Sequence, residues 1–319
     1  MISFIIVGKN EGWKITKCVQ SVLDAVRACN INKYEVIYVD SKSTDDSIER
    51  VKKMTPVKTV LITGECNSAV ARNVGVIESS GDNLFFIDGD MEIKSEFLEK
   101  IYNEKEGIKN EFVSGNWINM EYNEKWELQS ESVAKNIIAD EIREYTTGGI
   151  FLIKRKLWNE VNGMKTKLKR SQDLDLGLRL AKRGHLLTRV KDIIAIHHTI
   201  PYNDKKRMWS MFFSGAYFYR VVLLRDNFLN VFQWKLFFRG NYTFFFLFVC
   251  IIFSILLNFP YILLLYFSVT GIRIFLRKEK SLGSFMSNML LVFSYEFLLL
   301  FAFFFFWPSN KKICYKVLQ

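Results

Sequence analysis

The stretch FFIDGDMEI, residues 85–93, decides how the rest of the chain is read. Three apolar residues run straight into Asp88 and Asp90, which are separated only by Gly89. Like charges so close repel, and two readings compete. In one, a cation lies between the carboxylates, since paired hard oxygens one residue apart can face Mg2+ or Mn2+ and leave positions for phosphates and water. In the other, Asp and Gly merely make a turn. The order of elements around the stretch weighs for the first. ISFIIV (2–7), YEVIYV (34–39), VKTVLIT (57–63) and NLFFI (83–87) read as short strands. Between the first two, Trp13, Val19, Val22, Leu23 and Val26 recur at helical spacing over 13–28. Ser43-Thr44-Asp45-Asp46 offers caps for a helix over 45–53, and another helix is expected over 68–79. This β-α-β-α-β-α-β order predicts an α/β domain with a mostly parallel, Rossmann-like sheet. Right-handed crossovers collect the strand carboxyl ends at one edge, where open α/β sheets bind ligands. That edge carries Gly8-Lys9-Asn10-Glu11, Asp40-Ser41 and Asp88-Gly89-Asp90.

Other classes are disfavoured. No GxGxxG follows the first strand and no GxxxxGK[ST] occurs, which argues against a dinucleotide oxidoreductase or a P-loop NTPase. The five cysteines show no CxxC spacing, so zinc is not expected and reduced thiols in a cytoplasmic domain are. The first apolar run is too short for a signal peptide.

Charge separates two regions of the 319 residues. Residues 1–200 carry 30 Lys/Arg and 29 Asp/Glu, whereas residues 201–319 carry 14 and 4. The first region is a balanced domain; the second joins basic charge to extreme apolarity. Residues 243–272 contain no formal charge, and as one helix they would run about 45 Å against a hydrocarbon core of about 30 Å. Asn258-Phe259-Pro260 interrupts them. A hairpin or re-entrant pair over 243–257 and 260–273 is therefore expected, then a third apolar helix over 284–307. The basic loop between them belongs on the cytoplasmic side. Residues 201–240, with Lys205, Lys206, Arg207, Trp209, Phe212, Phe213, Tyr217 and Tyr219, read as amphipathic interface helices suited to headgroups, or else as ordinary packed helices. The positive charge flanks apolar runs and not a soluble face, so nucleic acid is not the expected partner.

Several further groups could carry chemistry. Asp40 ends the second strand and could accept from a base or a ribose hydroxyl, or could cap the next helix. Arg72 could meet a diphosphate or be a solvated helix charge. Thr147-Gly148-Gly149 permits close backbone approach to a ligand, or a tight turn. Asp173 opens the helix of SQDLDLGLRLAKRG, where the helix dipole favours its anion; it could act as a general base or be a plain first-turn charge. His197 and His198 end the run DIIAIHH, and neighbouring strand residues face opposite ways, so at most one faces the site.

In order, SFIIVGKNEG, EVIYVDSKSTDDS, ARNVGVIESSGDNLFFIDGDMEI, TTGGIFLIKRKLWNEVNGM, SQDLDLGLRLAKRGH and IHH resemble a family 2 glycosyltransferase of the GT-A fold, over roughly residues 2–200. The resemblance implies a nucleotide-sugar-binding catalytic domain over 1–200, interface helices over 201–240 and a membrane region over 241–319. It implies that Asn10, Glu11, Asp40, Arg72, Asp88 and Gly149 hold the nucleotide-diphosphate sugar. It further implies that Asp88 and Asp90, with His197 or alternatively His198, hold Mn2+ or Mg2+, and that Asp173 is the base of an inverting transfer. Gln172 stands where the family usually has Glu. The processive synthases' Gln-x-x-Arg-Trp motif is missing; residues 204–209 read DKKRMW. Transfer of a single sugar, from a UDP-sugar to a lipid-linked polyprenyl glycan at the cytoplasmic (inner) membrane, is expected, with the catalytic domain facing the cytoplasm. The alternative is a polyprenyl-phosphate glycosyltransferase that uses the lipid phosphate as acceptor.

Overall fold

The structure is a computed structural model that describes every residue except 104–106, 134–136, 202–209 and 277–281. It divides into two compact units, Met1–Ser214 with Ser309–Gln319, and Gly215–Pro308.

The first unit is built on one large mixed sheet. Strands β1 (Ile2–Gly8), β2 (Tyr34–Asp40), β3 (Lys58–Ile62) and β4 (Asn83–Asp88) alternate with helices α1 (Trp13–Ala28), α2 (Ser47–Lys52) and α3 (Ser68–Ile77). They pair in parallel in the order β3-β2-β1-β4. The register sets Val7 beside Asp88 and Gly8 beside Asp40, so three acidic or glycine strand ends meet at one edge. After β4 come β5 (Met91–Ile93) and α4 (Ser95–Ile101), then a small ribbon of β6 (Tyr102–Asn103) and β7 (Gly107–Ile108). The sheet continues through β8 (Phe112–Tyr122), its hairpin partner β9 (Leu128–Val133), β10 (Ile142–Glu144) and β11 (Phe151–Lys154). It is completed by α5 (Arg155–Glu160), α6 (Gln172–Lys182) and β12 (Leu187–Thr199). Strand β11 runs antiparallel beside β4, and β12 runs parallel to β8 while holding β5 on its other edge.

Period-two alternation divides the core between the two sheet faces. Phe4 and Ile6 pack with Val19, Val22 and Leu98 on the α1–α4 side. Ile5 and Val7 pack with Val70, Val74, Leu176 and Leu180 on the α3–α6 side. Helix α3 lies so close to β1 that a Cβ on Gly75 would come within 2.2 Å of the Ile5 side chain.

The second unit contains α7 (Tyr219–Asp226), α8 (Val231–Leu256), a 3-10 turn Pro260–Ile262, α9 (Leu263–Phe275) and α10 (Leu282–Phe305). The break at Asn258-Phe259-Pro260 falls where the sequence places it. Helix α8, however, begins at Val231, well before 243, and its segments Val231–Gly240 and Tyr242–Leu256 meet at 93°. Among the described residues one helix, Phe285–Phe305, is long and apolar enough to cross a membrane; the bent pair passes the same test only if taken as one span. Lys205, Lys206, Arg207 and Trp209, expected at an interface, lie outside the described residues.

The sequence-based boundary at 319 is corrected. Residues 309–319 belong to the first unit, where β13 (Tyr315–Val317) pairs antiparallel with the edge strand β3. Tyr315 and Ile313 pack against the α3-side core, which is why this short segment leaves the apolar region and joins the sheet.

Candidate active site

At the carboxyl edge of the sheet lies a cleft of about 360 Å3, lined among others by Glu11, Ser41, Cys66, Asn67, Asp88 and Asp90. Strand β4 delivers Asp88 to its floor. Arg72, in the second turn of α3 and 2% exposed, binds Asp88 Oδ1 at 2.6 Å and donates to the Gly149 carbonyl at 3.2 Å. Gly149 is held against Asp88 so closely that a Cβ there would stand 2.2 Å from Asp88 Oδ2 and the carboxylate would have to shift.

Asp90 faces the other way. His197 Nε2 lies 3.3 Å from Asp90 Oδ2, and its Nδ1 lies 3.0 Å from Asn119 Oδ1. His198 points to the opposite side of β12, with Nδ1 2.8 Å from the Tyr122 hydroxyl and Nε2 2.5 Å from Glu92. Trp13 packs edge-on to the His198 ring. The structure thus brings the His197 imidazole to the Asp90 carboxylate, whereas His198 meets Asp90 only through its backbone amide, which donates to the Asp90 carbonyl at 2.8 Å. Burial pushes the His198 imidazole below its ordinary value against the pull of Glu92, so it is a neutral structural residue.

Glu11 lies across the cleft, paired with the buried Lys14 at 2.5 Å. Lys14 also sits 4.4 Å over the Trp126 ring. The electrostatics are those of crowded carboxylates. Burial pushes Asp88 up to about 6; Arg72 opposes this, and the Asp90 charge adds to it. Glu11 is raised by burial and then by Asp90, with Lys14 opposing. Burial also raises Asp90, yet the hydrogen bond and charge of His197 leave it below the ordinary carboxylate value. Asp173, in the first turn of α6, is raised by burial and lowered by Arg72, and its charge is felt at Asp88. Helix α6 is seated by Asp175, which is fully buried between Lys165 at 3.1 Å and Arg179 at 2.7 Å.

Asp40, expected at the base or ribose or as a cap, has its carboxylate in contact with the loop that follows β2. It is fully buried: Oδ2 accepts from the Tyr38 hydroxyl at 2.8 Å and from Ser43 Oγ at 2.5 Å, and Oδ1 accepts from the Ser43 amide at 2.8 Å. Its carboxylate shapes the loop that presents Ser41 to the cleft. Asn10 braces the same loop, with Oδ1 accepting from the Thr44 amide at 2.7 Å. Sequence reasoning placed Ser41 at this edge beside Asp40 but passed over Lys14, Cys66, Asn67 and Asn119. Lys14 is one helical turn past Glu11, a usable ion-pair spacing; nothing marks the others.

No three His, Cys, Asp or Glu side chains among the described residues form a ready-made metal cluster. Asp90 and His197 instead make an open half-site beside Asp88. Two hard oxygens and one imidazole suit Mn2+ or Mg2+ if the remaining positions go to phosphate oxygens and water. The excess of carboxylate over cation here is what a divalent ion would relieve. Three buried polar atoms, Arg72 Nε, Thr147 Oγ1 and Gln172 Oε1, have no hydrogen-bond partner among the described residues, which fits a polar ligand that supplies them.

A parallel β3-β2-β1-β4 sheet flanked by β11, β8 and β12, with two aspartates at the end of β4, defines a GT-A glycosyltransferase. Residues 3–168 match Glycosyl transferase family 2, and the chain belongs to that family. Glycosyltransferase AglE of Haloferax volcanii is 26% identical over 218 residues, 64% of this chain and 68% of that protein. Poly(ribitol-phosphate) beta-N-acetylglucosaminyltransferase TarP of Staphylococcus aureus is 27% identical over 121 residues, 36% of each chain. The crystal structure of S. aureus TarS 1-349 in complex with UDP-GlcNAc superposes with a TM-score of 0.56 at 16% identity, covering 72% of this chain and 67% of that one. The same TarS fragment without that ligand gives 0.53, and this chain covers 65% of it.

Proposed function

We propose that this chain is a membrane-associated inverting glycosyltransferase that moves one sugar from a UDP-sugar to a hydroxyl of a lipid-linked glycan. The observation that carries this reading is the convergence of the Arg72–Asp88 pair, the Asp90–His197 pair and Asp173 at one sheet edge. The similarity to TarS, solved with UDP-GlcNAc, and to TarP, a poly(ribitol-phosphate) beta-N-acetylglucosaminyltransferase, favours a UDP-sugar donor. The apolar helix Phe285–Phe305 favours a membrane location, with the catalytic unit at the cytoplasmic face, and so a lipid-linked acceptor.

In this reading Ser41, Cys66 and Asn67 bound the nucleotide end of the cleft, and Arg72 orients the diphosphate while fixing Asp88. Asp90 and His197 would hold Mn2+ or Mg2+, which when bound neutralises charge on the leaving diphosphate. Asp173 takes the acceptor proton as its oxygen attacks the anomeric carbon. Its raised proton affinity suits a base working near neutrality. Gly149 carries the loop that closes over Asp88, and Asn119 keeps the His197 ring turned to Asp90.

The test is a donor and acceptor screen on the full chain in detergent, reading released UDP. Asp90→Ala and Asp173→Ala are each expected to lower turnover by about 100-fold or more while leaving the melting temperature near wild type. Full activity in either variant overturns the assignment of roles. Turnover on undecaprenyl phosphate that survives Asp173→Ala would point to the phosphate-acceptor alternative.

A further inference from the structure

The last ten residues, which follow directly on the apolar region, run across the first unit as a strap. At its start Asn310 Oδ1 accepts from the Lys167 amide at 3.3 Å. The next residue makes a two-way clamp: Thr166 Oγ1 donates to the Lys311 carbonyl at 3.1 Å and accepts from the Lys311 amide at 2.9 Å. Lys311 Nζ then pairs with Glu65 at 2.8 Å. Further on, the Thr63 and Gly64 amides donate to the Cys314 carbonyl at 2.9 and 3.1 Å, and β13 zips onto β3. Away from the cleft the Tyr315 hydroxyl donates to Glu78 at 2.7 Å, past the carboxyl end of α3, and the far end is held by Leu318 and Gln319 on the Thr59 backbone.

Of the two loops held by the strap's near end, one lines the cleft and the other is bonded to it. The Thr166 carbonyl accepts from Asn67 Nδ2 at 2.7 Å, and Asn67 lines the cleft. Asn67 Oδ1 accepts from the Val70 amide at 2.9 Å and so caps α3, the helix that carries Arg72 to Asp88. The Thr166 loop is also tied to α3 through Asn73 and Met164, and it leads within a few residues to Asp173. A continuous path therefore runs from Lys311 through Thr166 and Asn67 into α3 and Arg72.

We propose that the near end of this strap, Asn310 and Lys311, is a positioning element of the active site, in which Thr166, 8% exposed, is the positioning residue that fixes the Asn67 loop and the amino end of α3 for donor binding. The inference rests on the donor reading above only in its affinity readout. The test compares wild type, Thr166→Val, Thr166→Ser, Asn310→Ala and Tyr315→Phe, as full chains in detergent. UDP affinity is measured by calorimetry and the exchange rate of the Val70 amide by hydrogen exchange.

Thr166→Val is expected to weaken UDP by about threefold to tenfold, the effect of roughly one net hydrogen bond, and to speed exchange at Val70. Thr166→Ser, which keeps the hydroxyl, restores both. Asn310→Ala, an exposed change that cannot threaten the core, moves both readouts the same way by less. Tyr315→Phe loosens the strap away from the cleft, so it lowers the melting temperature and leaves both readouts at wild type. The proposal is overturned if neither Thr166→Val nor Asn310→Ala alters Val70 exchange, or if Tyr315→Phe alters it as much. A wild-type chain that ignores UDP would sink the donor reading, while Val70 exchange still decides the strap.

Discussion

Gly149 has no room for a side chain, and this makes it the most informative single position in the site. Gly149→Ala would set a methyl group 2.2 Å from Asp88 Oδ2, so the carboxylate or the loop must move. A cost of about 1–3 kcal/mol is expected, with a lower melting temperature and weaker UDP binding, because Arg72 bridges the same two groups; an unchanged affinity would show that the loop does not govern Asp88. Glu35 supports β4 from the opposite edge. Burial works against its charge, but bonds from Ser3, Ser80 and the Gly81 amide outweigh this and hold its pKa below the ordinary 4.5. The folded carboxyl binds its proton less tightly than the unfolded one. The stability it contributes is therefore whole above the unfolded value and is lost as the pH falls below it. Glu35→Gln should melt below wild type at neutral pH, and the gap should close in acid; a gap independent of pH would refute the assignment. Such details were unevenly legible. Asp88 and Asp90 could be read because acid at a strand end is unusual in a balanced sequence. The choice of His197 over His198 required the register of β12, which sets His197 opposite Met91. Tyr38 is two residues before Asp40 on the same strand, so period two already put its hydroxyl on that side. Ser43, the other partner of Asp40, depends on a turn that no pattern announced.

At the scale of elements, the alternation of strands and helices through residue 88 was readable because each strand is a short apolar run and each helix has an apolar stripe. Two elements were not. Strand β13 is three residues long and follows the run LLLFAFFFFW, so its pairing with β3 depends wholly on tertiary contact. The early start of α8 was hidden by Lys235 and Arg239, which made residues 231–242 look like a separate amphipathic piece. The sequence also marks Glu296 as one acid within an apolar run without saying what holds it. In the fold it accepts from the Thr243 hydroxyl at 2.5 Å and the Tyr266 hydroxyl at 2.9 Å, and it pairs with Arg273 at 3.7 Å. Arg273 also donates to the Gly240 carbonyl at 2.7 Å, so one polar node joins α8, α9 and α10. Breaking a buried pair from one side leaves a charge uncompensated, whereas removing both partners is far milder. Arg273→Met and Glu296→Met should each cost about 1–3 kcal/mol in detergent melts, and the double variant should melt above either single one. A double variant that melts as low as the sum of the two would show that the node is not a pair.

For the molecule as a whole, connectivity limits how the membrane reading can be drawn. Met1–Ser214 and Ser309–Gln319 fold together, so the chain leaves one folded unit at 215 and re-enters the same unit at 309. If the residues between lie in a bilayer, as proposed above, they must begin and end on one face, which allows only an even number of crossings. Arg273, near the end of α9, reaches back to Gly240 and Thr243 before and at the start of the second arm of α8, so that arm and α9 run as a hairpin with its tip at residues 257–260. Its arms, Tyr242–Leu256 and Leu263–Phe275, are only about 20–23 Å long at 1.5 Å per residue. Each arm falls short of a hydrocarbon core of about 30 Å, so in the membrane reading neither arm is expected to cross by itself. Helix α10 is long enough to span alone, yet a single span would strand residues 309–319 on the wrong side of the bilayer from β3. In the proposed membrane reading the apolar unit is therefore expected to enter and leave by the same face. Single cysteines placed at Glu65 and at Lys312 in a cysteine-free chain should react with an impermeant thiol reagent from the same side of sealed vesicles. A cysteine at Phe259 should react from neither side. Labelling of 65 and 312 from opposite faces would mean that the β13–β3 pairing does not form in the membrane-bound protein, and with it the strap would fall.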